Sequence, residues 1–98
     1  MYQLIIVDDE KAIAEGISAL FPWNKLAFEA ISFTDPRIAL SYIRSHGADV
    51  VLSDIEMPGM SGIDLCRELQ GLAYQFLLLL YTVMTAVFTF FLYSKLRI

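Results

Sequence analysis

The stretch that decides the fold is Val50-Val51-Leu52-Ser53-Asp54-Ile55-Glu56-Met57-Pro58-Gly59-Met60-Ser61-Gly62. A short apolar run of this kind reads as a strand buried on both faces, from Asp49 to Ser53. It ends on a bare carboxylate, Asp54, just past the strand, and passes at once into a loop rich in Pro and Gly. The helical spacing of Ile63, Leu65, Cys66 and Leu69 then predicts a helix from Gly62 to Gln70 with those residues toward a core. Ser61 stands at its start, where a hydroxyl caps the first free amides.

Working outward, the same grammar recurs twice upstream. Leu4 to Val7 is a β-branched run that stops at Asp8-Asp9-Glu10, and Lys11 to Leu20 follows with Ile13, Ile17 and Leu20 at helical spacing. Phe21-Pro22-Trp23-Asn24 breaks that helix. Glu29 to Thr34 is a weaker strand, and Asp35-Pro36 offers an N-cap with proline at the first helical position. The helix it opens runs to about Ser45, with Ile38, Ala39, Tyr42 and Ile43 inward and His46-Gly47 as its stop. The order β-α-β-α-β-α with short connections predicts an α/β fold: a doubly wound parallel sheet with helices on both faces, built from about three βα units.

Length and charge bound the function. Ninety-eight residues make one small domain, and the single cysteine, Cys66, has no partner for an internal disulfide. The net charge of −4 hides a division, because all eleven acidic residues lie between Asp8 and Glu68. An acidic front of this kind argues against direct nucleic-acid binding. The start carries no basic region and only a short apolar run, unlike a signal peptide, which points to a cytoplasmic location.

In a parallel sheet, ligands bind beyond the carboxyl ends of the strands. Asp8, Asp9 and Asp54 all sit at such ends, and if the first and third strands are neighbours the three carboxylates converge. Like charges that close repel strongly, and a divalent cation is the natural compensation. Hard oxygens without nearby His or Cys favour Mg²⁺. Read alone, Asp8-Asp9-Glu10 fits equally well as an acidic helix start. Trp23 and Phe28 read as packing residues, and His46 as a helix-end residue.

Ile-Val-Asp-Asp-Glu at 6–10 together with Asp-Ile-Glu-Met-Pro-Gly-Met-Ser-Gly at 54–62 resembles the receiver domain of two-component response regulators, which have a flavodoxin-like fold. Phe21-Pro22-Trp23-Asn24-Lys25-Leu26-Ala27-Phe28-Glu29 is similar to the AraC-type, YesN-like subgroup. The resemblance implies that Asp54 is the phosphoacceptor, taking a phosphoryl group from a phosphohistidine on a sensor histidine kinase. It implies that Mg²⁺ is held by Asp9 directly, Asp8 mainly through water, Asp54 itself, and Glu56 through its backbone carbonyl. A domain of this family is a signalling module, not an enzyme beyond its own phosphorylation and dephosphorylation, and it leaves room for a homodimer. An aspartyl phosphatase of the haloacid-dehalogenase type is disfavoured, because Pro58 stands where it needs Thr or Ser.

The resemblance is truncated after the third helix, so residues 1–70 are expected to be the first part of a receiver and 71–98 an apolar, helical tail. Phe76 to Tyr81 is a candidate fourth strand, and Thr82 falls where the family has its switch hydroxyl. No Lys-Pro follows, and the family's lysine role does not pass to Lys95. Residues 72–93 carry no charge and, as a helix of about 33 Å, would cross a membrane. Three readings stand: a membrane anchor, a fourth strand plus an apolar helix, or sequence out of frame after about Gln70 that leaves an inactive remnant. The abrupt loss of acids favours the last. The competing function is a membrane-anchored acidic interaction domain without phosphotransfer.

Overall fold

Strand β1 (Tyr2–Val7) opens the chain, followed by helix α1 (Lys11–Leu20), a turn of 3₁₀ helix (Trp23–Leu26), strand β2 (Phe28–Phe33), helix α2 (Pro36–His46), strand β3 (Val50–Asp54), helix α3 (Gly62–Leu69) and strand β4 (Leu77–Tyr81). This computed structural model describes residues 1–70 and 77–81. All pairings are parallel, in the spatial order β2-β1-β3-β4.

That order fixes the layers. The chain steps one way from β1 to β2 and the other way from β2 to β3 and from β3 to β4. Right-handed crossovers therefore put α1 on one face and α2 with α3 on the other. The packing agrees. Ile5, Val7 and Val51 face Ala39, Leu40 and Ile43 of α2 and Leu65 and Leu69 of α3. Leu4 and Ile6 face Ile17 of α1, with Trp23 and Phe28 packed at the edge. β1 is buried from Leu4 to Val7, as a strand between two helical layers must be.

Local chemistry sets the boundaries. The Asp35 side chain accepts from the Arg37 amide at 2.9 Å, with Pro36 following. Ser61 and Asp64 form a reciprocal capping box at the start of α3. The Trp23 indole donates to the Ile17 carbonyl at 2.8 Å, which fixes it as a packing residue. His46 stacks on Tyr42 at the end of α2 with ring centres 4.1 Å apart.

Several expectations are corrected. Ile38 and Ile63, assigned inward, are 58% and 39% exposed, and Leu20, at helical spacing with Ile13 and Ile17, is 62% exposed, while Leu40 and Ala14 take buried positions. The helical periods are right, but the phase is set by packing, which turns Leu40 inward and Ile38 out. β3 runs to Asp54, so this residue is the strand's last and not the first beyond it, because Tyr81 of β4 pairs with it. Residues 77–81 form a strand, so a helix unbroken from 72 to 93 does not form. Among the described residues no helix is long and apolar enough to cross a membrane. Thr82 and the rest of the tail lie outside the described residues.

Candidate functional site

Register builds the site. Val7 pairs with Ser53 across β1 and β3, so the next residue on each strand, Asp8 and Asp54, stands level at the carboxyl edge of the sheet. Neighbouring strands are about 4.8 Å apart, which brings the two carboxylates together without any long loop. Asp9 follows Asp8 at the rim. One oxygen from each of Asp8, Asp9 and Asp54 lies within 4.8 Å of the others. Asp8 and Asp54 are buried and Asp9 is exposed.

Glu10, the N-cap of α1, makes no side-chain capping bond, and Asp8 Oδ1 accepts from the Glu10 amide at 2.9 Å. That bond orients the Asp8 carboxylate and turns the chain into α1. Asp8-Asp9-Glu10 therefore opens α1 and at the same time brings Asp8 and Asp9 beside Asp54.

Electrostatics give the cluster its character. Asp54 is 2% exposed. Burial pushes its carboxyl above the usual carboxylate range, the Asp8 charge adds to this, and Asp9 contributes less in the same direction. The Glu56 and Ile55 amides oppose the rise. Glu56 meets Asp54 through its amide, which donates to Asp54 Oδ1 at 3.4 Å.

The donor set suits a small hard cation. Octahedral Mg²⁺ takes oxygens at about 2.1 Å and so gathers them some 3 to 4 Å apart, which oxygens within 4.8 Å of one another can meet with small side-chain shifts. No nitrogen or sulfur ligand belongs to the cluster, which disfavours the softer metals.

Gly62 has a part that its place in a turn-rich loop did not reveal. Its amide donates to the Ile55 carbonyl at 2.9 Å, and a Cβ there would overlap the Asp54 carbonyl oxygen and stand 3.1 Å from Ile55 Cα. The signal was available: glycine at the first position of a helix, directly after a serine cap, is not placed there for helix propensity.

The sequence model of the response regulator receiver domain family matches residues 4–93. The chain belongs to this family. It is the receiver domain of a two-component response regulator, with the flavodoxin-like fold of that family.

This receiver is 38% identical over 80 residues to an uncharacterised response regulatory protein of Staphylococcus epidermidis, covering 81% of this chain and 32% of that protein. It is 37% identical over 73 residues to the transcriptional regulatory protein HptR of Staphylococcus aureus, covering 74% of this chain and 29% of that one. The chain therefore spans about a third of the length of these curated relatives. Among solved structures it is similar to the receiver domain of AraT, a response regulator from Geobacillus stearothermophilus. The TM-score is 0.77 and the identity 26%, over 97% of this chain and 74% of that one. A two-component transcriptional regulator AraC from Clostridium phytofermentans is 30% identical with a TM-score of 0.74, over 82% of this chain and 65% of that one.

Proposed function

We propose that Asp54 is the phosphoacceptor of this receiver, phosphorylated by a sensor histidine kinase in a reaction that requires Mg²⁺. The observation that carries the reading is the buried Asp54 carboxylate, held level with Asp8 at the sheet edge with Asp9 beside it. A carboxylate at a strand end, with an acidic pair alongside to hold a cation, suits attack on phosphorus better than packing, since its burial is otherwise unfavourable.

In the transfer, an Asp54 carboxylate oxygen attacks the phosphorus of the donor phosphohistidine. The new O–P bond forms as the P–N bond breaks, and the imidazole leaves and takes up a proton. The Glu56 amide donates to Asp54 Oδ1, and the amides of Glu56 and Ile55 together steady the carboxylate. Asp8 is held by the Glu10 amide, and Asp9 sits at the exposed rim; together with Asp54 and the Glu56 backbone carbonyl they are the groups that would hold Mg²⁺. A bound Mg²⁺ neutralises charge between the nucleophile and the phosphoryl oxygens, the main requirement of such a transfer.

We also infer that residues 1–70 with the strand at 77–81 make up the receiver portion of the chain, and that Thr82, next after the Asp54–Tyr81 pair, is its switch hydroxyl. Support comes from the register of β4 on β3 and from the family match, which runs on to residue 93.

The test is incorporation of labelled phosphate from a small acyl-phosphate donor into the 98-residue chain, with and without Mg²⁺, beside Asp54→Asn. Labelling that needs both Mg²⁺ and Asp54 is the expected result. Equal labelling of Asp54→Asn would overturn the assignment.

A further inference from the structure

We propose that the groove between α2 and β2 is a docking site for an extended peptide segment with acidic residues at both ends and an apolar residue between them. The inference does not depend on the reading of Asp54. The groove has a volume of about 410 Å³. Ile38, Ser41, Tyr42, Ser45 and His46 form one wall, at the i, i+3, i+4, i+7 and i+8 spacing of a single helix face, and Phe33 at the end of β2 forms the other. Ile38 is 58% exposed. The Phe33 and Tyr42 ring centres lie 5.2 Å apart, which joins the two walls into one apolar surface.

The strand beside the groove has a free edge. β2 is the outermost strand of the sheet and pairs with β1 on one side only. The Tyr2 amide donates to the Ala27 carbonyl, and the Asp8 amide to the Phe33 carbonyl. The two-residue repeat of a parallel ladder between those bonds turns the backbone groups of Glu29 and Ile31 toward β1 and those of Ala30 and Ser32 outward. Ala30 and Ser32 have no outward backbone partner among the described residues. β2 holds neither proline nor lysine to guard this edge, and its one charge, Glu29, accepts from the Gln3 side chain. An unpaired edge beside an apolar groove is the arrangement by which a sheet accepts an added strand, the backbone supplying affinity and the groove reading alternate side chains.

Charge selects the occupant. All eleven acids of the chain lie between Asp8 and Glu68, yet none lies in α2. Arg44 pairs with Glu68 of α3 at 2.9 Å, whereas Arg37 forms no ion pair among the described residues. Arg37 and His46 thus stand as the basic ends of the groove. They are about 13.5 Å apart along the helix at 1.5 Å per residue, a span that four residues of extended chain cover at about 3.3 Å each. Acids at the first and fifth positions of an added strand therefore share a face with the apolar third, which meets Ile38 and Tyr42. A second copy of this chain fits less well, because a two-fold pairing of the same face sets the basic ends against each other with no acid in the groove to offset them.

The probe is the end-capped peptide Thr-Glu-Thr-Leu-Thr-Glu-Thr, titrated into the 98-residue chain and followed by backbone amide chemical shifts, beside a twin peptide with lysine for both glutamates. Shifts at Ala30, at Ser32 and along α2, with the β3 amides unmoved, are the expected result. The lysine twin should bind roughly fivefold more weakly, as two exposed ion pairs allow. Arg37→Gln and Ile38→Ser, both at exposed positions, should each weaken the glutamate peptide about threefold and leave the β1 amides of the free chain unchanged. No shifts at millimolar peptide, or equal binding of the twin, would overturn the proposal. A dimer in sedimentation that Ile38→Ser dissolves would give the groove to a second copy and overturn it as well.

Discussion

Gly62 lies so close to Asp54 that the first atom of any side chain on it would overlap the Asp54 carbonyl oxygen. The N-terminus of α3 is thus seated directly on the end of β3, with the Gly62 amide bonded to Ile55. Backbone cannot yield as a flexible side chain can. Gly62→Ala should therefore destabilise the domain by about 1 to 3 kcal/mol, despite alanine's better helix propensity. It should also lower labelling of Asp54, because relief of the overlap moves the strand end that carries the carboxylate. Urea denaturation with a labelling assay checks both, and a stabilised variant would show that the seat is not tight.

Asp54 makes stability depend on pH in a predictable direction. Its carboxyl titrates above the usual range in the folded chain, through burial first and the Asp8 charge second. Between the ordinary value and the raised one, the folded state binds more protons than the unfolded state. Stability from this group therefore falls as pH rises through that window. In the absence of divalent cations, Asp54→Asn should melt higher than wild type at neutral pH. The gap should close as pH falls through the window, where the wild-type carboxyl becomes neutral too. Thermal melts across pH in a chelating buffer measure this, and a gap independent of pH would assign it to packing.

Mg²⁺ should stabilise the wild-type chain by mass action, about 2.7 kcal/mol at a hundredfold excess over its dissociation constant. Asp9 offers the cleaner variant, because it is exposed and its loss leaves no buried gap. Asp9→Asn should fold with the metal-free stability of wild type or slightly better, since one repulsive charge is gone. Its melting temperature should no longer rise with Mg²⁺. A full response in Asp9→Asn would remove Asp9 from the cation site.

The site was more legible in the sequence than its surroundings. Asp8, Asp9 and Asp54 stood out because an apolar strand that stops on a carboxylate is a chemical anomaly, visible without knowing which strands are neighbours. Their convergence depended on β1 lying beside β3, and the βα order made that a short step. Helix phase was less accessible: Ile38 and Ile63 fit the helical period, but the angle at which α2 and α3 lean together decides who faces in. β4 shows the limit of apolar runs, where a span long enough for a membrane helix also contains a five-residue strand.

Ala27 holds a left-handed conformation, φ 64°, at the end of the 3₁₀ turn. Its amide donates back to that turn, and its carbonyl accepts from the Tyr2 amide at 2.8 Å, so the conformation is imposed by the start of the β1–β2 pairing. An L-residue pays about 1 to 2 kcal/mol there. Glycine removes that strain but adds freedom to the unfolded chain, worth about 0.4 to 1 kcal/mol the other way. Ala27→Gly should therefore raise stability modestly, by about 0.5 to 1 kcal/mol after the two effects are set against each other. Chemical denaturation decides, and a loss of stability would mean that the alanine methyl packs usefully.

Helix α2 supplies a matched pair of isoleucines for testing its orientation. Ile43 is fully buried with Ala39 and Leu40 against the sheet, whereas Ile38 is 58% exposed. Truncating Ile43 leaves a cavity between α2 and β1 and should cost about 2 to 5 kcal/mol. Truncating Ile38 removes a side chain that already meets water, and should cost under about 0.5 kcal/mol, helped by alanine's helix propensity. The two variants carry the same chemical change on one helix, so their difference reports its rotation and little else. Equal losses in urea denaturation would mean that Ile38 is covered in solution, and that the outer face of α2 is an interface.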